Sequence, residues 1–312
     1  MAAVERVELV VKDLGRSRAF FELLGFSALR QESLSGPSVE RSSGVKGARL
    51  ERLELSLGNE HIALLQYAAP TDGRPVPRDT RGNDLWFQHL AIVVSDMSAA
   101  YGWLHEHHVG QISTTPQKLP GWNRAAGGIE AFYFVDPDGH PLELIHFPKG
   151  KGDPRWQVSS RCTRSPRELC AFLGIDHTAI TVEDTEQSLL YYRDRLGFRV
   201  AGASENYGPE QEHLNGVFGA HLRITALRAA AGPGIELLEY VAPRGGRPPP
   251  SDARPEDLAH FQVVVRASST NAIWNATAQA GGRDVALDPE THRALVRDRD
   301  GHALFVQESG AP

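Results

Sequence analysis

The chain is poor in cysteine: it has two, Cys162 and Cys170, at a spacing that fits no zinc or redox pattern. That excludes a disulfide scaffold and makes a reduced, cytoplasmic setting the expected one. Long apolar runs are missing as well. Stretches such as Leu90-Ala91-Ile92-Val93-Val94 fall far short of the ~20 residues a membrane-spanning helix needs. The opening MAAVERVELVVKD carries charges inside its apolar stretch, so no secretory signal is expected there. Positive charge is not in excess: 33 Lys plus Arg stand against 39 Asp plus Glu, a formal charge of −6. With no basic stripe, nucleic acid is not an expected partner. What remains is an ordinary globular composition, 41% hydrophobic and 23% charged in 312 residues. That length predicts about two domains, each able to bury a core unaided.

The chain repeats itself. ELVVKDLGRSRAFFELLGFSAL, from Glu8, lays over AITVEDTEQSLLYYRDRLGFRVA, from Ala179, with Asp13 on Asp184 and Leu24-Gly25-Phe26 on Leu196-Gly197-Phe198. GVKGARLERLEL from Gly44 matches GVFGAHLRITAL from Gly216, and ALLQYAAPTDGRPVP from Ala63 matches ELLEYVAPRGGRPPP from Glu236. Three matches in one order at a near-constant offset identify a tandem duplication. Each half divides again, because LWFQHLAIVVSDM (Leu85 to Met97) and LAHFQVVVRASS (Leu258 to Ser269) resemble the opening strands of the other segments. Four modules result, 4–68, 85–148, 174–242 and 257–308, each reading strand, helix, then further strands. The first pair occupies 1–150, a linker 151–173 and the second pair 174–312. In the third module Asp184 offers an N-cap, Leu189, Tyr192 and Leu196 share a helical face, and Gly197 is the expected C-cap. Ser165-Pro166-Arg167-Glu168 predicts a short linker helix, and DPDGH (Asp136 to His140) a tight turn.

Equivalent positions in the modules can be compared directly. Seven residues before the Asp that starts each helix, or before Ala267 in the fourth module, stand Arg6, His89, His177 and His260. In the closing strands the shared position holds Ala63, Glu143, Glu236 and Phe305. A lone His at a strand start is usually just a hydrogen-bonded residue. A Glu in an apolar strand such as PLELIHF is less ordinary, because a buried carboxylate needs a partner. Three His and two Glu in the same two slots point to a first-row divalent ion held by imidazole and carboxylate.

With its QHLAIVVSDM opening and FYFVDPDGHPLELIHF close, the repeated module resembles the vicinal oxygen chelate superfamily, which includes glyoxalase I, bleomycin-resistance proteins, methylmalonyl-CoA epimerase and extradiol dioxygenases. The resemblance spans nearly the whole chain. It implies an α+β fold of four tandem βαβββ modules forming two half-barrel cups, with metal ligands from the first and last strand of each module. If sequence neighbours pair, modules three and four offer His177, His260 and Glu236. If pairing is exchanged, modules two and three offer His89, Glu143, His177 and Glu236. The exchanged arrangement is favoured because it leaves fewer acidic groups buried without a counter-charge.

The expected function is that of a divalent-metal enzyme (Zn, Ni, Co, Mn or Fe) of the glyoxalase or epimerase type. It would act on a small oxygen-chelating substrate, with Glu143 or Glu236 moving the proton. An extradiol-type dioxygenase using His177, His260 and Glu236 is the alternative, and a non-catalytic binding or resistance protein the third. Trp122, Asn123 and Tyr207 are weaker candidates for substrate contact. Glu239, Gln66 and His146 are expected on the opposite strand face, and His105, His107 and His108 at a helix end. The chain is expected to work as a monomer or homodimer, without membrane or nucleic-acid partners.

Overall fold

The computed structural model describes residues 2–157 and 172–309. The linker helix expected at Ser165 to Glu168, and both cysteines, lie outside the described residues.

Module one contains β1 (Ala3–Val10), α1 (Leu14–Leu23), β2 (Ser27–Ser35), α2 (Pro37–Ser43), β3 (Arg49–Leu57) and β4 (Glu60–Ala69). Module two has β5 (Gln88–Val94), α3 (Met97–Glu106), β6 (Gln117–Lys118), β7 (Glu130–Val135) and β8 (Pro141–His146). Module three has β9 (Phe172–Val182), α4 (Thr185–Tyr192), β10 (Arg199–Tyr207), α5 (Pro209–Asn215), β11 (His221–Arg228) and β12 (Gly234–Ala242). Module four has β13 (Phe261–Ala267), α6 (Thr270–Gln279), β14 (Arg283–Asp288), β15 (Arg293–Arg297) and β16 (Ala303–Glu308). Each module is βαβββ, and α2 and α5 are additions confined to modules one and three.

One chemical signal starts every main helix. The side chains of Asp13, Asp96, Asp184 and Ser269 accept from the backbone N–H groups of Arg16, Ala99, Gln187 and Ala272, satisfying a donor that the first turn leaves free. Helix α4 ends at Tyr192, earlier than its apolar pattern predicts, and Gly197 adopts its φ of 78° in the turn beyond. Leu189, Tyr192 and Leu196 are nevertheless all buried. His107 caps α3, its Nδ1 lying 2.8 Å from the Trp103 carbonyl.

The eight strands of one sheet run β14-β15-β16-β13-β1-β4-β3-β2 and those of the other β10-β11-β12-β9-β5-β8-β7-β6. Modules one and four therefore share one sheet, and modules two and three the other. Within each module the first and last strands are parallel neighbours, while at each sheet's centre two opening strands meet antiparallel. On the helical side the partnership reverses. One core joins Val7, Phe21 and Leu64 of module one to Leu90, Leu104 and Phe132 of module two, and a second joins modules three and four. The chain is thus cross-braced, since sequence neighbours share cores and exchanged neighbours share sheets.

The two GRP connectors clasp the halves together. Arg74 binds Asp257 at 2.6 Å and its repeat equivalent Arg247 binds Asp84 at 2.7 Å, with Arg254 on Asp72 at 3.0 Å. The DPDGH turn joins the same clasp. His140 Nδ1 donates to Asp136 at 2.7 Å while Nε2 sits 2.6 Å from the Leu258 carbonyl. No helix among the described residues is long and apolar enough to cross a membrane.

Candidate metal centre

Strands β5 and β9 run antiparallel at the centre of their sheet, with His89 opposite Ala179 and Ala91 opposite His177. Glu143 on β8 is level with Ala91, and Glu236 on β12 with Ala179. Strand alternation then turns all four side chains to the same concave face. His89 Nε2 is 3.1 Å from Glu143 Oε2; His177 Nε2 is 3.5 Å from that oxygen and 3.3 Å from Glu236 Oε2. His89, Glu143 and His177 are buried, and each offers a donor atom within 4.8 Å of the others. Two ligands about 2.1 Å from one ion, at tetrahedral or octahedral angles, stand roughly 3.0–3.4 Å apart, so these separations suit a shared cation.

The polar accounting points the same way. His89 Nδ1 and Nε2 and His177 Nε2 are buried without a hydrogen-bond partner. Leaving such groups unmade costs about 1–3 kcal/mol each, and an ion in their midst would satisfy both Nε2 atoms. His177 is oriented from behind: its Nδ1 donates to Asp176 Oδ2 at 3.0 Å, which directs the Nε2 lone pair inward. Asp176 is itself held by Trp156 Nε1 and by the Arg228 guanidinium, each at 2.7 Å.

Charge is in excess on the negative side. Burial would raise Glu143, but the His177 and His89 imidazoles beside it outweigh that and hold the carboxyl at about 2. Burial would lower His177, but the charges of Glu236 and Glu143 and bonding to Asp176 push it up to about 10. Burial and the neighbouring carboxylates raise Glu236. A divalent cation would neutralise this surplus and displace the His177 proton.

A cavity of about 420 Å3 opens above these groups, and Tyr133, Glu143, Glu236, Gln211, Arg199 and Arg228 are among its lining residues. Tyr133 lies directly across the β7–β8 ladder from Glu143, its ring centroid 4.7 Å from that of His89. Burial first, then the Glu143 charge, raises its pKa well above the ordinary phenol value, so it faces the cavity as a neutral O–H. Its position on the ligand face was readable from the alternation in FYFVDPDGH; that of Arg228, which depends on how β11 approaches Asp176, was not.

Trp122 and Tyr207 do not line this cavity. They stack on each other, ring centroids 4.4 Å apart, and are 51% and 46% exposed. Asn123 is buried and structural: its Nδ2 donates to Asn206 Oδ1 at 2.7 Å and to the Glu205 carbonyl at 3.2 Å, stitching the module-two loop to β10. Glu239 and Gln66 cap helices, accepting from the N–H groups of Thr185 and Leu14, rather than facing solvent.

His260 is not brought to this group. It precedes β13 in the other sheet, so the set His177, His260 and Glu236 is not assembled. Nor does His260 occupy the position equivalent to His89. The fourth-module helix is capped by Ser269 rather than begun at Ala267, which moves the equivalence two residues on, to Gln262. The ladders agree. Gln262 lies opposite Glu8 as His89 lies opposite Ala179, and Phe305 is level with Val264 as Glu143 is with Ala91.

A sequence profile described as Glyoxalase/Bleomycin resistance protein/Dioxygenase superfamily matches residues 3–144 and 174–306. The fold is similar to that of glyoxalase I from Zea mays, with 18% identity, a TM-score of 0.61, and coverage of 99% of this chain and 92% of that one. It is also similar to a proposed dioxygenase from Bacillus subtilis subsp. subtilis str. 168, with 14% identity, a TM-score of 0.55, and coverage of 99% and 85%. At these identities the likeness is one of fold. Among curated proteins no match was found.

Proposed function

Given that the chain belongs to the glyoxalase/bleomycin resistance/dioxygenase superfamily, we propose that the cup of modules two and three is a metal-dependent active site of the glyoxalase or epimerase type. His89, Glu143 and His177 would hold one divalent first-row ion, with Glu236 as a fourth, more loosely engaged group. The observation that carries this reading is the set of buried imidazole nitrogens left without partners around a shared carboxylate. When bound, the ion supplies Lewis acidity to a substrate carbonyl with a neighbouring oxygen.

The chain's own residues divide the remaining work. Glu143, its side chain 6% exposed and between both imidazoles, is the ligand carboxylate. Glu236, 24% exposed and touching only His177 of that trio, opens to the cavity and is the base that takes a proton from the substrate carbon and returns it. Tyr133 donates its phenolic proton in a hydrogen bond to the oxygen on which negative charge develops. Asp176 keeps His177 oriented throughout.

Two His and one carboxylate are also the donor set of non-haem iron oxygenases, which supports ring-cleaving dioxygenation as the second reading, on His89, His177 and Glu143. The role of Glu236 separates the two. On the first reading, metal-loaded protein exchanges the α-proton of a small α-hydroxycarbonyl compound with deuterated water, and Glu236→Gln keeps the metal but abolishes the exchange. Oxygen uptake with catechol that survives Glu236→Gln would establish the second instead. Protein that takes up no divalent metal after reconstitution contradicts both.

A further inference from the structure

The cup of modules one and four encloses about 450 Å3, as much room as its counterpart. Where the counterpart has His177, His89 and Glu143, this cup has Arg6, Gln262 and Phe305, and its floor is closed to metals. Arg6 Nε donates to Glu8 at 2.7 Å, and Gln262 Nε2 donates to the other Glu8 oxygen at 2.5 Å. Gln262 Oε1 in turn accepts from His260 Nε2 at 2.8 Å. Arg6 is 4% exposed and Glu8 3%, so a charged pair has been taken out of water. A cup that had merely lost its metal would be cheaper to fill with apolar side chains than to keep open over a buried ion pair.

The open valence lies on the wall. Arg293, Leu295 and Arg297 alternate onto one face of β15, and the Arg293 side chain makes no hydrogen bond or ion pair with any other described residue. Across the ladder Arg293 is level with Gln307 and Leu295 with Phe305. A free guanidinium therefore stands one step from an apolar surface made by Leu295 and Phe305, with Leu50, Leu65 and Tyr67 also lining the cavity.

We propose that this cup is a second, metal-free binding site for a monoanionic organic acid with an aromatic body. The carboxylate engages Arg293 and the ring lies against Phe305 and Leu295. A guanidinium fork matches a carboxylate bidentately, and an aromatic ring gains from packing on Phe305. The other cavity arginines Arg6, Arg30, Arg52 and Arg266 are already paired, with Glu8, Glu54, Glu32 and Glu5 respectively. The surrounding glutamates repel a polyanion, so a single negative charge is selected.

The test is a calorimetric titration of the full chain, stripped with EDTA, using 2-naphthoate as the probe. One saturable site per chain is expected. Arg293→Gln weakens it by about tenfold or more, the size of one charge-assisted contact. Arg293→Lys, which keeps the charge and guards against a folding artefact, weakens it less, and Phe305→Glu abolishes it. Arg199→Gln, in the wall of the other cup, leaves it unchanged. The proposal is overturned if no saturable heat is found, if binding is indifferent to Arg293→Gln and Phe305→Glu, or if Arg199→Gln removes it.

Discussion

The two cups are built from the same module, joined by the same antiparallel pairing of opening strands, and enclose nearly equal volumes. They differ at their centres. In the cup of modules two and three, buried imidazole nitrogens have no partners and surround a carboxylate. In the cup of modules one and four, Arg6 and Gln262 stand where His177 and His89 do, and both are taken up in a run of hydrogen bonds from Arg6 through Glu8 and Gln262 to His260. Unmet hydrogen-bonding capacity, rather than the shape of the cup, is what marks a site for an ion. The fold supplies two equal cradles, and on the proposed reading three side chains decide which of them could hold a cation.

The contrast can be broken most completely by rebuilding the closed centre as the open one. Arg6→His, Gln262→His and Phe305→Glu together are expected to raise divalent metal content from one ion per chain to two, read by elemental analysis. The double change without Gln262→His is expected to leave it at one, because His260 is not in the ligand position. Next in size is removal of the buried cation alone. Arg6→Ala takes the closest cation from buried Glu8, leaving it Arg52 at 3.9 Å and the Gln262 amide, and unfolding in urea is expected to show a loss of about 3 kcal/mol. In the open cup, Asp176→Asn removes the acceptor that orients His177, and competition with a chelator is expected to show metal binding weakened by about 10–100-fold.

The smallest effect concerns the clasp that both cups share. Burial would raise Asp257, but bonding to the Arg74 side chain and to backbone N–H groups outweighs it and holds the group at about 2, below its unfolded value. Its contribution to stability is therefore complete above the unfolded value of about 3.9 and is lost as pH falls from there through about 2. Thermal melts are expected to show Asp257→Asn less stable than wild type at neutral pH, the gap closing as pH falls through that window.

Much of this was legible from the residues. Repeated segments revealed four modules, and matching slots singled out His89, Glu143, His177 and Glu236, which the structure brings onto one face. The argument that exchanged pairing leaves fewer uncompensated acids pointed to the sheets that form. The error at His260 has a physical origin. His260 and Gln262 are two residues apart and alternate to the same side of the strand, so periodicity cannot separate them; only the helix cap at Ser269 fixes the count. The clasp was illegible because Arg74 and Asp257 are distant in sequence and their meeting depends on how the two connectors cross. The unequal exposure of Glu143 and Glu236 likewise follows from packing by distant strands.

The most direct measurement is an anomalous-scattering map, collected at the metal's absorption edge from crystals of reconstituted protein. The account predicts one strong peak per chain, within bonding distance of His89 Nε2, His177 Nε2 and Glu143, and none beside Arg6 and Phe305. A peak in the Arg6 cup, or His89 and His177 without a shared peak in fully loaded protein, would contradict it.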